Sequence, residues 1–170
     1  MKKTFLFAAM AFCAYFASAQ KFALIDMEYI MSNIPAYERA NEQLNQTSKK
    51  WQAEVEALDN EAKNLYKNYQ NEAVFLSEAK KKEREEAIVA KEKEASELKK
   101  KYFGPEGELF KKRESLIQPI QDEVYNAIKS VADSKGFQLI MDRASDTSGI
   151  IFASPAIDIS NEVLSRLGYN

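Results

Sequence analysis

The chain of 170 residues has no histidine and one cysteine, Cys13. Those two absences exclude disulfide frameworks, Cys/His zinc sites and His-activated nucleophiles. No Gly-rich phosphate loop, EF-hand or HExxH pattern is present either. Glycine and proline are scarce, at five and four residues, and none of either lies between Pro35 and Gly104. There is no basic excess: 24 Lys and Arg stand against 26 Asp and Glu, a formal net charge of −2. Nucleic-acid binding is driven by Lys/Arg neutralising phosphate, so this balance argues against such a partner.

The N-terminus reads as an export signal cleaved after Ala19. Lys2 and Lys3 precede an apolar run from Thr4 to Phe16 that is too short to cross a bilayer. Ala17-Ser18-Ala19 then offers the small residues a signal peptidase requires. Cys13 lies within the run behind the bulky Phe12, unlike the cysteine of a lipoprotein signal. Cleavage removes this cysteine and two lysines. The mature chain then carries 24 less two, or 22, basic residues against 26 acidic ones. It is expected to be exported and soluble.

What the sequence does contain is a heptad pattern. Leu44, Trp51, Leu58 and Leu65 recur at sevens, with Val55, Ala62, Tyr69 and Leu76 at the companion positions. A second stripe holds Ile88, Ala95, Tyr102, Leu109 and Leu116, joined by Leu98. Two such stripes predict an antiparallel coiled-coil hairpin over residues 37–134. Its tip is expected near Ser77, a plausible N-cap followed by the acidic Glu78. The run from Glu78 to Lys101 is dense in mixed charge with few apolar residues, so that part of the arm is expected to be loosely held. Gly104-Pro105-Glu106-Gly107 reads as a bend within a continuing helix, because the seven-residue phase from Tyr102 to Leu109 runs across it. Pro119 is a second candidate kink. Around and beyond it Ile117, Ile120, Val124, Tyr125, Ile128 and Val131 form a richer apolar segment.

The flanks read differently. Lys21–Asp26 has the length of a strand, and Met27–Asn33 reads as a helical turn with Tyr29, Ile30 and Ile34 inward. Gly136 suits a helix C-cap. Phe137–Met141 and Gly149–Ala153 read as two further strands, and Asp158 or Ser160 can cap a last helix carrying Val163, Leu164 and Leu167. The fold class is therefore α+β, mainly α, with a helical hairpin inserted into a small strand-bearing body (residues 20–36 and 135–170). So small a body favours oligomerisation.

No catalytic constellation stands out, and no cofactor or metal is expected. Asp26, Asp142 and Asp146 could form an acidic cluster, but strand ends and a turn explain them better. Trp51 is expected to fill the seam. Tyr66, Tyr69, Phe75 and Leu76 lie toward the distal end of the first arm. Tyr66 and Phe75 fall off the seam and are candidates for gripping a partner, against the plainer reading of scattered surface apolar residues.

These features together resemble the Skp/OmpH family of periplasmic chaperones. The resemblance rests on KFALIDMEYI, the hairpin, IQDEVYNAIKSVADSK (Ile120–Lys135), the strand pair and the closing DISNEVLSRL. It implies a homotrimer in which strands from three subunits make a β-barrel body and three arms enclose a cavity. Unfolded outer-membrane proteins would be held there without ATP, so no enzyme activity is implied. On this reading Tyr66, Tyr69, Phe75 and Leu76 contact clients, and Phe22, Leu24, Phe137, Leu139, Ile151 and Phe152 belong to the oligomer body. Familiar members are strongly basic, whereas this mature chain is acidic. Local patches remain at Lys80–Lys82, Lys99–Lys101 and Lys111–Arg113, but no lipopolysaccharide or membrane-surface site is carried over. The competing reading is an exported coiled-coil scaffold or adaptor bound to one folded envelope partner.

Overall fold

A computed structural model describes residues 21–145 and 148–169. The expected signal segment and Asp146 lie outside the described residues. The chain is mainly helical and divides into two compact units. One comprises the residues up to Ile34 together with those from Asp122 onward, and the other runs from Pro35 to Gln121.

The first unit is built around a parallel strand pair. Strand β1 (Phe22–Ile25) lies beside β2 (Leu139–Asp142), with Phe22 opposite Leu139 and Ile25 opposite Asp142. Parallel neighbours need a long crossover, and more than a hundred residues separate these two. Asp26 ends β1 and caps helix α1 (Met27–Ser32), its Oδ1 accepting the Tyr29 N–H at 2.8 Å. Helix α5 (Ser160–Leu167) returns to β1: the Ile159 N–H donates to the Leu24 carbonyl at 2.9 Å, and the Asp26 N–H to the buried Ser160 hydroxyl at 2.8 Å. Arg143 joins the same corner, 3.0 Å from both Asp26 and Asp158. The Asp142 carboxylate accepts the Met27 and Ala144 N–H groups. These aspartates thus serve as caps and ties, and no metal-binding cluster occurs among the described residues. The largest fully buried side chains are Ile30, Val124 and Val163. Burying each stabilises the unit by about 1.5–3 kcal/mol.

The second unit is the hairpin. Helix α2 (Pro35–Glu72) starts at Pro35, where a missing N–H does no harm, and its 38 residues span about 57 Å. A 3₁₀ turn (Ala73–Phe75) follows, and Ser77 Oγ then caps helix α3 (Glu78–Phe103) by accepting the Lys80 N–H. The hydrogen bonds and ion pairs between α2 and α3 run antiparallel: Tyr102 meets Glu54, Lys91 meets Glu61, Glu85 meets Tyr69, and Arg84 meets Glu72. Helix α4 (Glu108–Lys135), with Pro119 inside it, continues the return in this unit and from Asp122 onward belongs to the first.

Several expectations are corrected. The return arm does not bend at Gly104–Gly107; its helix stops there. Gly104 is extended (φ −63°, ψ 168°) because the residue before a proline is driven out of helical angles. Residues 149–153 form no strand. Ile151 is fully solvent-exposed, and no strand edge among the described residues pairs with this segment. The second strand starts at Leu139 rather than Phe137. Gly136 (φ 70°) ends α4 in a left-handed cap that commits the Phe137 N–H to the Ala132 carbonyl at 3.0 Å. Tyr29 and Tyr125 point to solvent, because each sits one position away from the inward face of its helix. Ile159, rather than Asp158 or Ser160, occupies the N-cap of α5, although Asp158 accepts the Ser160 N–H.

Candidate functional site: the helical arm

Every seam position read from the heptads is buried or half-buried. Val55, Ala62, Ile88 and Ala95 are the most enclosed. Trp51 stacks on Tyr102 with ring centroids 4.5 Å apart and planes 5° from parallel, so the lone tryptophan is a seam residue. The Tyr102 hydroxyl donates to Glu54 at 2.6 Å, and that hydrogen bond raises the pKa of the phenol. Tyr69 is held in the same way, donating to Glu85 with its pKa likewise raised.

The outer faces of α3 are laced with charge. Lys80–Glu83, Lys81–Glu78, Lys91–Glu94 and Lys93–Glu97 pair along the helix. Hydrogen bonds to Glu94 and Glu61 raise the Lys91 pKa, and the hydrogen bond from Lys80 lowers that of Glu83. Exposed pairs of this kind contribute little stability each. They keep the arm soluble and leave apolar packing to the thin seam.

The four distal residues fall into two pairs. Tyr69 and Leu76 are half-buried in the seam, while Tyr66 and Phe75 are exposed, at 51% and 89%. Two exposed residues were not anticipated: Val74 (86%) and Val89. Each lies off the heptad register, which is the signal that could have found them. The tip therefore presents Val74 and Phe75 side by side in water. In the other unit, Phe22, Leu139 and Met141 share an exposed face of the strand pair, Ile151 and Phe152 are open, and Phe137 is half-buried. Leu24 instead belongs to the unit's own core.

A cleft of about 400 Å³ opens beside the helix break, between Asn41–Ser48 on α2 and Phe103–Arg113 on the return. No heptad argument pointed to it.

The arm thus combines a polar exterior, a narrow seam and apolar residues left in water. Fold and arm define an α+β protein carrying a coiled-coil hairpin. The chain belongs to the OmpH-like outer membrane protein family, whose model matches residues 21–167, and a chaperone role follows from that membership. It is 24% identical over 168 residues to the chaperone protein Skp of Photorhabdus luminescens, covering 94% of this chain and 92% of that one. Its fold matches an OmpH-like outer membrane chaperone of Caulobacter crescentus CB15 with a TM-score of 0.69 at 13% identity, covering 88% of this chain and 85% of that one. No helix among the described residues is long and apolar enough to cross a membrane.

Proposed function

We propose that this chain is a periplasmic holdase that keeps unfolded outer-membrane proteins from aggregating, without ATP. The observation that carries the reading is the arm tip, where Val74, Phe75 and Tyr66 stand in water instead of in the seam. Apolar groups on a mobile polar arm suit clients with no fixed shape. They offer many weak contacts and demand no single geometry. The domain division follows the same logic: residues 1–19 are removed on export, 37–134 form the client-binding arm, and 20–36 with 135–170 form an oligomerisation body. The exposed Phe22, Leu139, Ile151 and Phe152 support assembly of that body into a homotrimer, since apolar surface of this kind is normally covered.

The test is aggregation of a urea-unfolded outer-membrane β-barrel protein on dilution into buffer. The mature chain, at stoichiometric amounts of trimer, is expected to suppress light scattering. A double substitution Val74→Ser and Phe75→Ser should weaken suppression while helicity and sedimentation stay unchanged. Scattering that the unaltered protein leaves untouched would refute the reading. A single folded partner co-purifying in fixed ratio would favour the adaptor reading instead.

A further inference from the structure

We propose that the cleft beside the Gly104–Gly107 break docks a client segment in which a large apolar side chain stands next to a carboxylate. The proposal rests on the holdase reading and names the chemistry of one of its contacts.

Two faults in the coiled-coil pattern coincide. On α2 the companion positions one and two heptads before Val55 hold Ser48 and Asn41, although Leu44 and Trp51 on either side of Ser48 are apolar. Polar groups at such positions reduce coiled-coil stability. At the same level the return arm leaves the helix for four residues. Neither side supplies a full set of packing side chains, and the cleft of about 400 Å³ is the result. That volume lies in the usual range for ligand sites.

The lining has a specific character. Leu44, Phe103, Leu109 and Phe110 form an apolar wall. Arg113, Asn41 and Asn45 line the same space, and none of the three has a side-chain hydrogen bond or ion pair among the described residues. Arg113 differs in this from its neighbour Lys111, which is paired with Glu108 at 3.5 Å. An unpaired guanidinium matches a carboxylate in charge and in its two-pronged geometry. Carboxamides match the N–H and C=O groups that a peptide backbone brings with it. An acyl chain would use the wall and leave both amides unmatched, so the cleft favours a peptide over a lipid.

Fluorescence anisotropy tests the assignment with a labelled Gly/Ser peptide that carries one Phe-Glu pair, against Ala-Glu and Phe-Gln versions. The full mature chain should bind Phe-Glu at least about tenfold more tightly than either control, the scale of one charge-assisted hydrogen bond. Arg113→Gln should erase the preference of Glu over Gln and leave that of Phe over Ala. Ser48→Leu, which refills the seam, should abolish peptide binding and raise the melting temperature. Equal binding by Ser48→Leu, or a Glu preference that survives Arg113→Gln, overturns the proposal. So does saturable, Arg113-dependent binding of dodecanoate in the absence of peptide binding. If the unaltered protein suppresses aggregation but binds no peptide, the cleft assignment falls alone. If it fails in both assays, the holdase reading falls with it.

Discussion

Ile88→Ala should open the distal arm without touching the strand-bearing unit. Ile88 and Ala95 are the only buried residues of α3, and Ile88 is 6% exposed. It lies between the Lys91–Glu61 and Glu85–Tyr69 contacts, at the level of Leu65. Removing three carbons from a buried isoleucine costs about 2–5 kcal/mol, less where neighbours can close the gap. The seam here is narrow and open at its sides, so about 3 kcal/mol is a fair central value. At 1.4 kcal/mol per tenfold, the open population of the distal hairpin rises on the order of a hundredfold. Hydrogen exchange by mass spectrometry reads this directly. Where exchange follows the opening equilibrium, amides over residues 62–95 should speed up by about that factor. Those of β1 and α5 should be unchanged. Uniform acceleration in both units would refute the reasoning, because it would mean that the arm does not open by itself. Unchanged rates in the arm would refute it too, since Ile88 would then contribute nothing to closure. The control is Val124→Ala, whose fully buried side chain lies in the other unit and which should accelerate the amides of β1 and α5.

Gly107→Ala should lower the melting temperature measured by circular dichroism. Its Cβ would fall 2.8 Å from the Tyr102 carbonyl oxygen and 2.9 Å from both the Lys101 oxygen and the Gly104 nitrogen, a clash costing about 1–3 kcal/mol. Gly168→Ala should cost about 1–2 kcal/mol in urea unfolding, because φ is +86° at this helix end. The acid limb of the stability curve should include Glu83. Its folded pKa is held below the ordinary 4.5 by the hydrogen bond from Lys80, so the contribution is complete above that ordinary value and disappears as pH falls through the lowered one. Lys80→Gln should remove this portion of the acid loss; an identical acid profile in the variant would count against it. Tyr102→Ala should move Trp51 fluorescence to longer wavelength, since it removes the ring that covers the indole face. Unshifted emission would contradict the stacked geometry.

The sequence alone determined the hairpin. A seven-residue period of apolar groups over two stretches, with no glycine or proline from residue 36 to residue 103, can bury its stripe in only one economical way, and Ser77 marked the turn through its capping chemistry. The off-register positions of Tyr66 and Phe75 were legible for the same reason: a regular helix converts position in the chain into direction. Tertiary structure decided what depends on partners distant in the chain. Ile151 and Phe152 have every local mark of a strand, yet a strand exists only where another edge meets it, and none among the described residues does. Phe137 looked like strand and was taken by the helix cap before it. The break at Gly104 was hidden by a heptad phase that survives it, because phase records where side chains fall and not whether the backbone between them is helical. The cleft shows the limit most plainly. Ser48 and Asn41 are ordinary polar residues in the sequence, and only antiparallel packing sets them opposite a gap in the other arm. Periodicity specifies which face of a helix is buried; register between helices, set by all their contacts together, decides what that face meets.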